Sequence, residues 1–162
     1  MEPRPRIKLA LTALDRIIEL VALLLLMALW AIVLFSYAEL PERIPTHFDA
    51  GGRPDDYGSK STLFLLPIIG TAIFAGMTGL NRVPHLFNYL RPITPENAEG
   101  QYTAATRMLR VVKLIVLLIF NGIVLMTLRT IKGSSSGLGY WFLPLCLALL
   151  LLPISMLLFR KK

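Results

Sequence analysis

Four long apolar runs decide what this chain can become. Residues 20–35 form an unbroken run, which extends to 17–37 if Glu19 is admitted, and runs at 63–80, 111–128 and 138–159 follow. About 18 apolar residues suffice to cross a hydrocarbon core of roughly 30 Å as a helix. A closed barrel is the other way to satisfy a backbone in lipid, and none of the runs has the period-two alternation it needs. At 55% hydrophobic and 17% charged residues, with mean hydropathy +0.63, the composition lies outside the ordinary soluble range. The expected fold is all-α: one polytopic membrane domain over 1–162 with four transmembrane helices. These are placed at about 17–37, 63–80, 111–128 and 138–159, with an outer loop at 38–62 and a cytoplasmic segment at 81–110.

Orientation follows from the cations. Residues 1–16 hold four Lys/Arg, 81–113 hold five and the tail holds three (Arg160, Lys161, Lys162), whereas 38–62 hold three and 129–137 hold two. Twelve against five predicts that both termini face the cytoplasm. A cytoplasmic membrane is the expected location, in a multi-pass arrangement. The +7 net charge then meets anionic lipid headgroups and needs no nucleic acid to explain it. Arg4, Arg6 and Lys8 before the first run, with "SYA" at 36–38, imitate a signal peptide. The run exceeds the usual ~7–15 residues of such a segment, so a retained helix is expected. Cys146 is the only cysteine, which excludes a disulfide framework within one chain.

Several features refine the helices. Leu11, Leu14, Ile18 and Val21 keep helical spacing, predicting that helix 1 begins soon after Pro5. In helix 2 the pairs Ala72/Gly76 and Ala75/Gly79 are small-xxx-small, which favours close packing inside the bundle, with dimerisation as the sharper alternative. "ITPEN" at 93–97 reads as a helix start, with Thr94 as cap and Pro95 in the first position. A helix over 95–128 would be about 51 Å long at ~1.5 Å per residue, so its first part should stand in the cytoplasm. Its apolar stripe of Ala98, Tyr102, Ala105, Leu109 and Val112 needs a partner: the start of helix 1 near Leu11 and Leu14, a second copy or another protein. Tyr102, Arg107 and Arg110 are the candidate partner-binding residues of this stalk. Asn121, near mid-membrane, is expected to face the bundle as polar glue, and Glu19 to pair with Arg16 or reach water.

The 25-residue connection 38–62 has no convincing helix or strand period. Its prolines, its Gly51-Gly52 pair and the apolar anchors Ile44, Phe48 and Tyr57 predict an ordered cap on the outer end of the bundle. His47, Asp49, Asp55, Asp56 and Lys60 are its candidate ligand-binding residues. His47, Asp49 and Asp55 are also weak metal candidates, since two acids and a histidine could close on a divalent ion. The spacing matches neither an EF-hand nor a zincin helix. Ser59 or Ser61 could be drawn with His47 and an Asp as a catalytic group, but no nucleophile elbow accompanies them. Structural duties are the competing reading: His47 on a loop carbonyl, Asp49 closing the Gly-Gly turn and Asp55 turning the chain after Pro54. No catalytic residue and no cofactor are assigned.

The stretch "LPERIPTHFDAGGRPDDYGSKST", residues 40–62, resembles the signature of the bacterial domain of unknown function 1648, an LP-x-x-IP-x-H-F core followed by G-x-x-D and G-S-K. Residues 84–113 are similar to that family's second shared block, with Leu90 standing where the family has Pro after Asn-Tyr. The resemblance reaches distantly to SdpI-type proteins, which give immunity to a secreted peptide toxin and relay its presence to a repressor. It implies a bacterial inner membrane as the location, and a non-enzymatic binding, immunity-like or signalling protein that recognises a peptide, lipid or protein at the outer face. An accessory subunit of a larger membrane complex is the alternative, and a membrane-embedded metal-dependent enzyme the next. The expected partners are the lipid bilayer and a protein or peptide, in a larger complex or a homo-oligomer.

Overall fold

The computed structural model describes residues 4–158, with side chains described to Pro153. It is mostly helical: α1 (Ala13–Ser36), α2 (Leu65–Leu80), α3 (Ala98–Ile131) and α4 (Phe142–Leu158), with a two-stranded sheet, β1 (Arg43–Phe48) and β2 (Pro54–Ser59), between α1 and α2. Among the described residues, three helical stretches are long and apolar enough to cross a membrane: Ala13–Glu39, Lys60–Leu80 and Ala98–Ile131. The described apolar part of α4, Phe142–Pro153, is shorter. Phe159 and the basic tail lie outside the described residues, as does the side chain of Ser155.

Helix 1 starts later than its apolar spacing suggests. Thr12 and Asp15 form a capping box, each side chain bonded to the other's backbone N–H, and this sets the first turn at Ala13. Residues 4–12 run without helix. Leu11 and Leu14 are exposed; the buried face is Asp15, Ile18, Ala22, Leu26, Leu29 and Val33, spaced by three or four residues.

α1 and α3 lie side by side and parallel. Arg107 meets Asp15, Lys113 meets Glu19, and Asn121 donates to the Leu25 carbonyl, at sequence separations of 92, 94 and 96. Separations that hold nearly constant along two helices mean that both run the same way. α2 runs back against both. Trp30 on α1 donates to Thr71 (3.0 Å), Lys113 on α3 donates to Thr78 (2.8 Å), and Gly70 sits where an added Cβ would come 3.2 Å from Leu117 and 3.4 Å from Leu29. Gly70 is thus the close-packing glycine of α2. The Ala72/Gly76 and Ala75/Gly79 pairs are exposed, and Gly76 and Gly79 have nothing within 4 Å of an added Cβ. The expectation that these pairs pack inside the bundle is corrected: helix periodicity turns them away from the Gly70 face.

α3 starts at Ala98, three residues after Pro95. The Asn97 side chain accepts from the Thr94 N–H and donates to the Pro92 carbonyl, holding 94–97 in a turn. α3 ends past residue 128, at Ile131, and its 34 residues make it about 51 Å long at ~1.5 Å per residue.

The connection 38–62 forms the hairpin, flanked by short 3-10 turns at Tyr37–Glu39 and Lys60–Phe64. Its strand character escapes a period-two reading because the pairing is irregular between Pro45 and His47 and again between His47 and Phe48. Each irregularity breaks the alternation of faces that identifies a strand in sequence.

Candidate functional site

Two polar clusters mark opposite ends of the bundle. At the hairpin end, Leu40, Ile44 and Leu63 are buried against Leu29 and Val33 of α1 and Val124 and Leu128 of α3, which seats the cap on the helices. Asp49 closes the hairpin: its Oδ1 accepts from the Arg53 N–H (2.8 Å), and its backbone N–H donates to the Arg53 carbonyl (2.9 Å). The tip then docks on the α3–α4 connection, where Leu138 N–H donates to the Gly52 carbonyl (2.7 Å). Gly52 (φ +75°), Gly137 (φ +144°) and Gly139 (φ +84°) make this approach, and a Cβ on Gly52 would fall 2.6 Å from the Gly139 backbone. Only glycine adopts such backbone angles without strain while leaving that space free.

The candidate hairpin residues do not form one cluster. His47 Nδ1 lies 2.6 Å from Asp55 Oδ1, and both side chains are largely open to solvent, at 68% and 46% exposure. Asp56, the register partner of His47, accepts from the Tyr57 N–H and is exposed. Asp49 is spent on the turn. Lys60 is half-buried, reaching Glu42 (3.0 Å), the Leu40 carbonyl (3.5 Å) and the face of the Tyr37 ring (5.1 Å). His47 thus bonds a carboxylate in place of a loop carbonyl, and Asp55 belongs to a strand in place of a turn. Tyr57, expected as an apolar anchor, is 48% exposed although its register partner Pro45 is buried. Among the described residues no three His, Cys, Asp or Glu side chains gather as metal ligands, so Asp49 does not join the His47–Asp55 pair. The Ser59 and Ser61 hydroxyls bond each other (2.9 Å).

At the opposite end, α1 and α3 are joined by a ladder of charges. Asp15 accepts from Arg107 Nε (2.8 Å) and Nη2 (3.2 Å), and Glu19 accepts from Lys113 Nζ (2.6 Å) while lying 3.2 Å from Arg110 Nε. Lys113 has no exposure at all, the Arg110 side chain has 7%, and Asp15 is buried. Lys113 completes its shell with the Thr78 hydroxyl and the face of Phe74, 4.4 Å from the ring centre. Glu19 therefore pairs across the bundle with α3 and not with the exposed Arg16. Tyr102, fully buried, donates to the Pro5 carbonyl (3.1 Å). Tyr89 rings against Tyr102 and donates to the Pro84 carbonyl (2.8 Å); burial, reinforced by Tyr102, raises its phenol to about 12. Arg4 binds the His85 and Phe87 carbonyls (3.1 and 2.6 Å), tying the N-terminal segment across the 81–97 connection. Tyr102, Arg107 and Arg110 thus have partners within the chain, on and just before α1. Asn121 spans the Leu25 and Leu117 carbonyls (3.0 and 2.8 Å), the polar glue its position predicts.

The sequence alone does not reveal this ladder. A local signal existed: Asp15 and Glu19 stand four apart, and Arg107, Arg110 and Lys113 stand three apart, so each set shares one helix face. Nothing local joins sets more than 90 residues apart.

Comparison with known proteins is consistent with the hairpin being the shared element. Residues 23–71 match the family model described as "Domain of unknown function (DUF1648)". The match runs from α1 through the hairpin into α2 and ends before the 84–113 block. An uncharacterized protein of Archaeoglobus fulgidus is 44% identical over 68 residues, which take in 37% of this chain and 37% of that protein. The chain thus spans little more than a third of the relative it matches. No solved structure matches. From mid-α1 to the first turns of α2, this chain is similar to the DUF1648 family model.

Proposed function

We propose that this protein is a non-catalytic recognition element of the cytoplasmic membrane, with its hairpin on the outer face and both termini inside. In this reading α4 completes a fourth crossing, and the hairpin presents His47, Asp55, Asp56 and Tyr57 to a peptide or protein. The observation that carries it is a division of labour within the cap. Leu40, Ile44, Leu63, Asp49 and the glycine contact fix the backbone, while the His47–Asp55 pair is exposed and has no packing duty. A fixed backbone lowers the ordering cost of binding, and an exposed polar pair offers directional contacts. The parallel run of α1 and α3 supports like-facing starts for these two helices, as the asymmetry of positive charge requires.

Quantitative mass spectrometry of the protein purified in mild detergent tests the reading. A protein or peptide retained in stoichiometric amount should be lost from a H47A/D55A/D56A variant whose helix content is unchanged. Identical co-purifying partners would overturn it. Cysteine labelling in a Cys146→Ser background tests the orientation: Asp56→Cys should react with an impermeant maleimide from outside and Arg82→Cys only after permeabilisation.

A further inference from the structure

The end of the bundle opposite the hairpin holds a cavity of about 560 Å³ between the extended segment 7–11, the end of α2 and the Arg110 turn of α3. Its lining includes Lys8, Arg82 and Arg110 against one acid, Glu19. That acid is already committed, because Lys113 holds it at 2.6 Å from the other side. Arg107 occupies Asp15. Three ladder cations therefore share two carboxylates, and the surplus positive charge falls on Arg110. The Arg110 side chain is more than nine-tenths buried, and its Nε, although 3.2 Å from Glu19, makes no hydrogen bond. Asn81 lines the same cavity, and its buried Nδ2 and Oδ1 both lack hydrogen-bond partners.

A desolvated cation in excess and an amide without partners are each costly, and native proteins rarely leave such groups unmet. One ligand would answer both. It must be anionic, accept hydrogen bonds from a guanidinium fork and the amide Nδ2, carry a hydroxyl that donates to the amide Oδ1, and be large enough for a cavity in the usual small-ligand range. Phosphate oxygens suit an arginine fork better than a point charge does. Ile7, Leu9 and Leu11 form the apolar side of the cavity, which fits the glycerol and first methylenes of a lipid. The dipole at the end of α2 opposes an anion, but Asn81, Arg82 and Val83 N–H groups already occupy its last carbonyls. Three cations outweigh that partial charge. We infer that this cavity binds a phosphate-bearing anion, held by Arg110 and Asn81 and screened by Lys8 and Arg82. The phosphate could belong to an anionic lipid headgroup or to a free phosphate compound.

Thermal unfolding of the full chain in maltoside detergent tests this with three probes: dioctanoyl phosphatidylglycerol, inorganic phosphate and dioctanoyl phosphatidylcholine. A saturable stabilisation by phosphatidylglycerol alone supports the site with a lipid as source, and one by inorganic phosphate supports it with a soluble source. Arg110→Gln and Asn81→Leu should each weaken the effective anion by about tenfold or more, while Arg129→Gln, near the hairpin end, leaves it unchanged. Should Arg110→Gln fail to fold, Asn81→Leu decides. No saturable effect from either anion, an equal effect from phosphatidylcholine, or wild-type response in the folded variants would overturn the inference.

Discussion

The two ends of this bundle use the same chemistry under opposite physical conditions. The hairpin carries His47, Asp55 and Asp56 in water, where an exposed polar pair contributes ~0–1 kcal/mol and a side chain is free to meet a partner. The ladder carries Asp15, Glu19, Arg107, Arg110 and Lys113 largely out of water, where removing one member strands another. At the hairpin, glycines and apolar side chains hold the backbone and the charges are spare. In the ladder the charges themselves register α1 against α3.

The comparison breaks most easily at Glu19. Glu19→Gln leaves buried Lys113 and Arg110 without their carboxylate and should cost about 3–5 kcal/mol, seen as a lower denaturation midpoint in detergent or loss of the protein from membranes. Lys113→Met should cost clearly less, because Glu19 then pairs with Arg110 alone. Equal losses would show that the cluster does not carry the charge excess. Asp15→Asn comes next. It weakens the capping box and the Arg107 pair together, an expected loss of about 2–3 kcal/mol, with faster amide exchange in the first turn of α1. Gly137→Ala drives a Cβ into the Gly52 carbonyl and should cost about 1–2 kcal/mol. Its signature is local: amides 49–53 should exchange faster while the Glu19 end stays protected. His47→Ala should be the mildest for stability, at ~1 kcal/mol or less, while removing part of the proposed recognition surface. A large drop in midpoint from His47→Ala would end the contrast between spare and structural charge.

How much was legible depends on how local the signal was. Of the four crossings the apolar runs predict, three are helices long and apolar enough to span a membrane and the described apolar part of α4 is shorter; Asn121 bridges within the bundle, as an amide inside an apolar run must. The ordered cap was foreseen from prolines, glycines and Ile44, yet its strands were hidden by two pairing irregularities. The Thr12–Asp15 capping box was present in "TALD" but was masked by Leu11 and Leu14, whose spacing imitates an earlier helix turn. Of the candidate hairpin residues, the fold brings His47 and Asp55 together, spends Asp49 on the turn its position predicts, and draws Lys60 into the cap. The stalk residues Tyr102, Arg107 and Arg110 looked like surface for a partner because their partners lie across the chain, at Pro5, Asp15 and Glu19.

By itself, the sequence determined where this chain can leave water: runs of apolar residues commit their own backbone to helix, whatever else folds around them. The tertiary structure alone decided which charges are buried together and which glycines touch. Those outcomes depend on two helices running parallel with a nearly constant offset and on two loops meeting at Gly52 and Gly137. Pairings at such separations carry no local period, and they become energetically decisive only once the bundle has excluded water from around them.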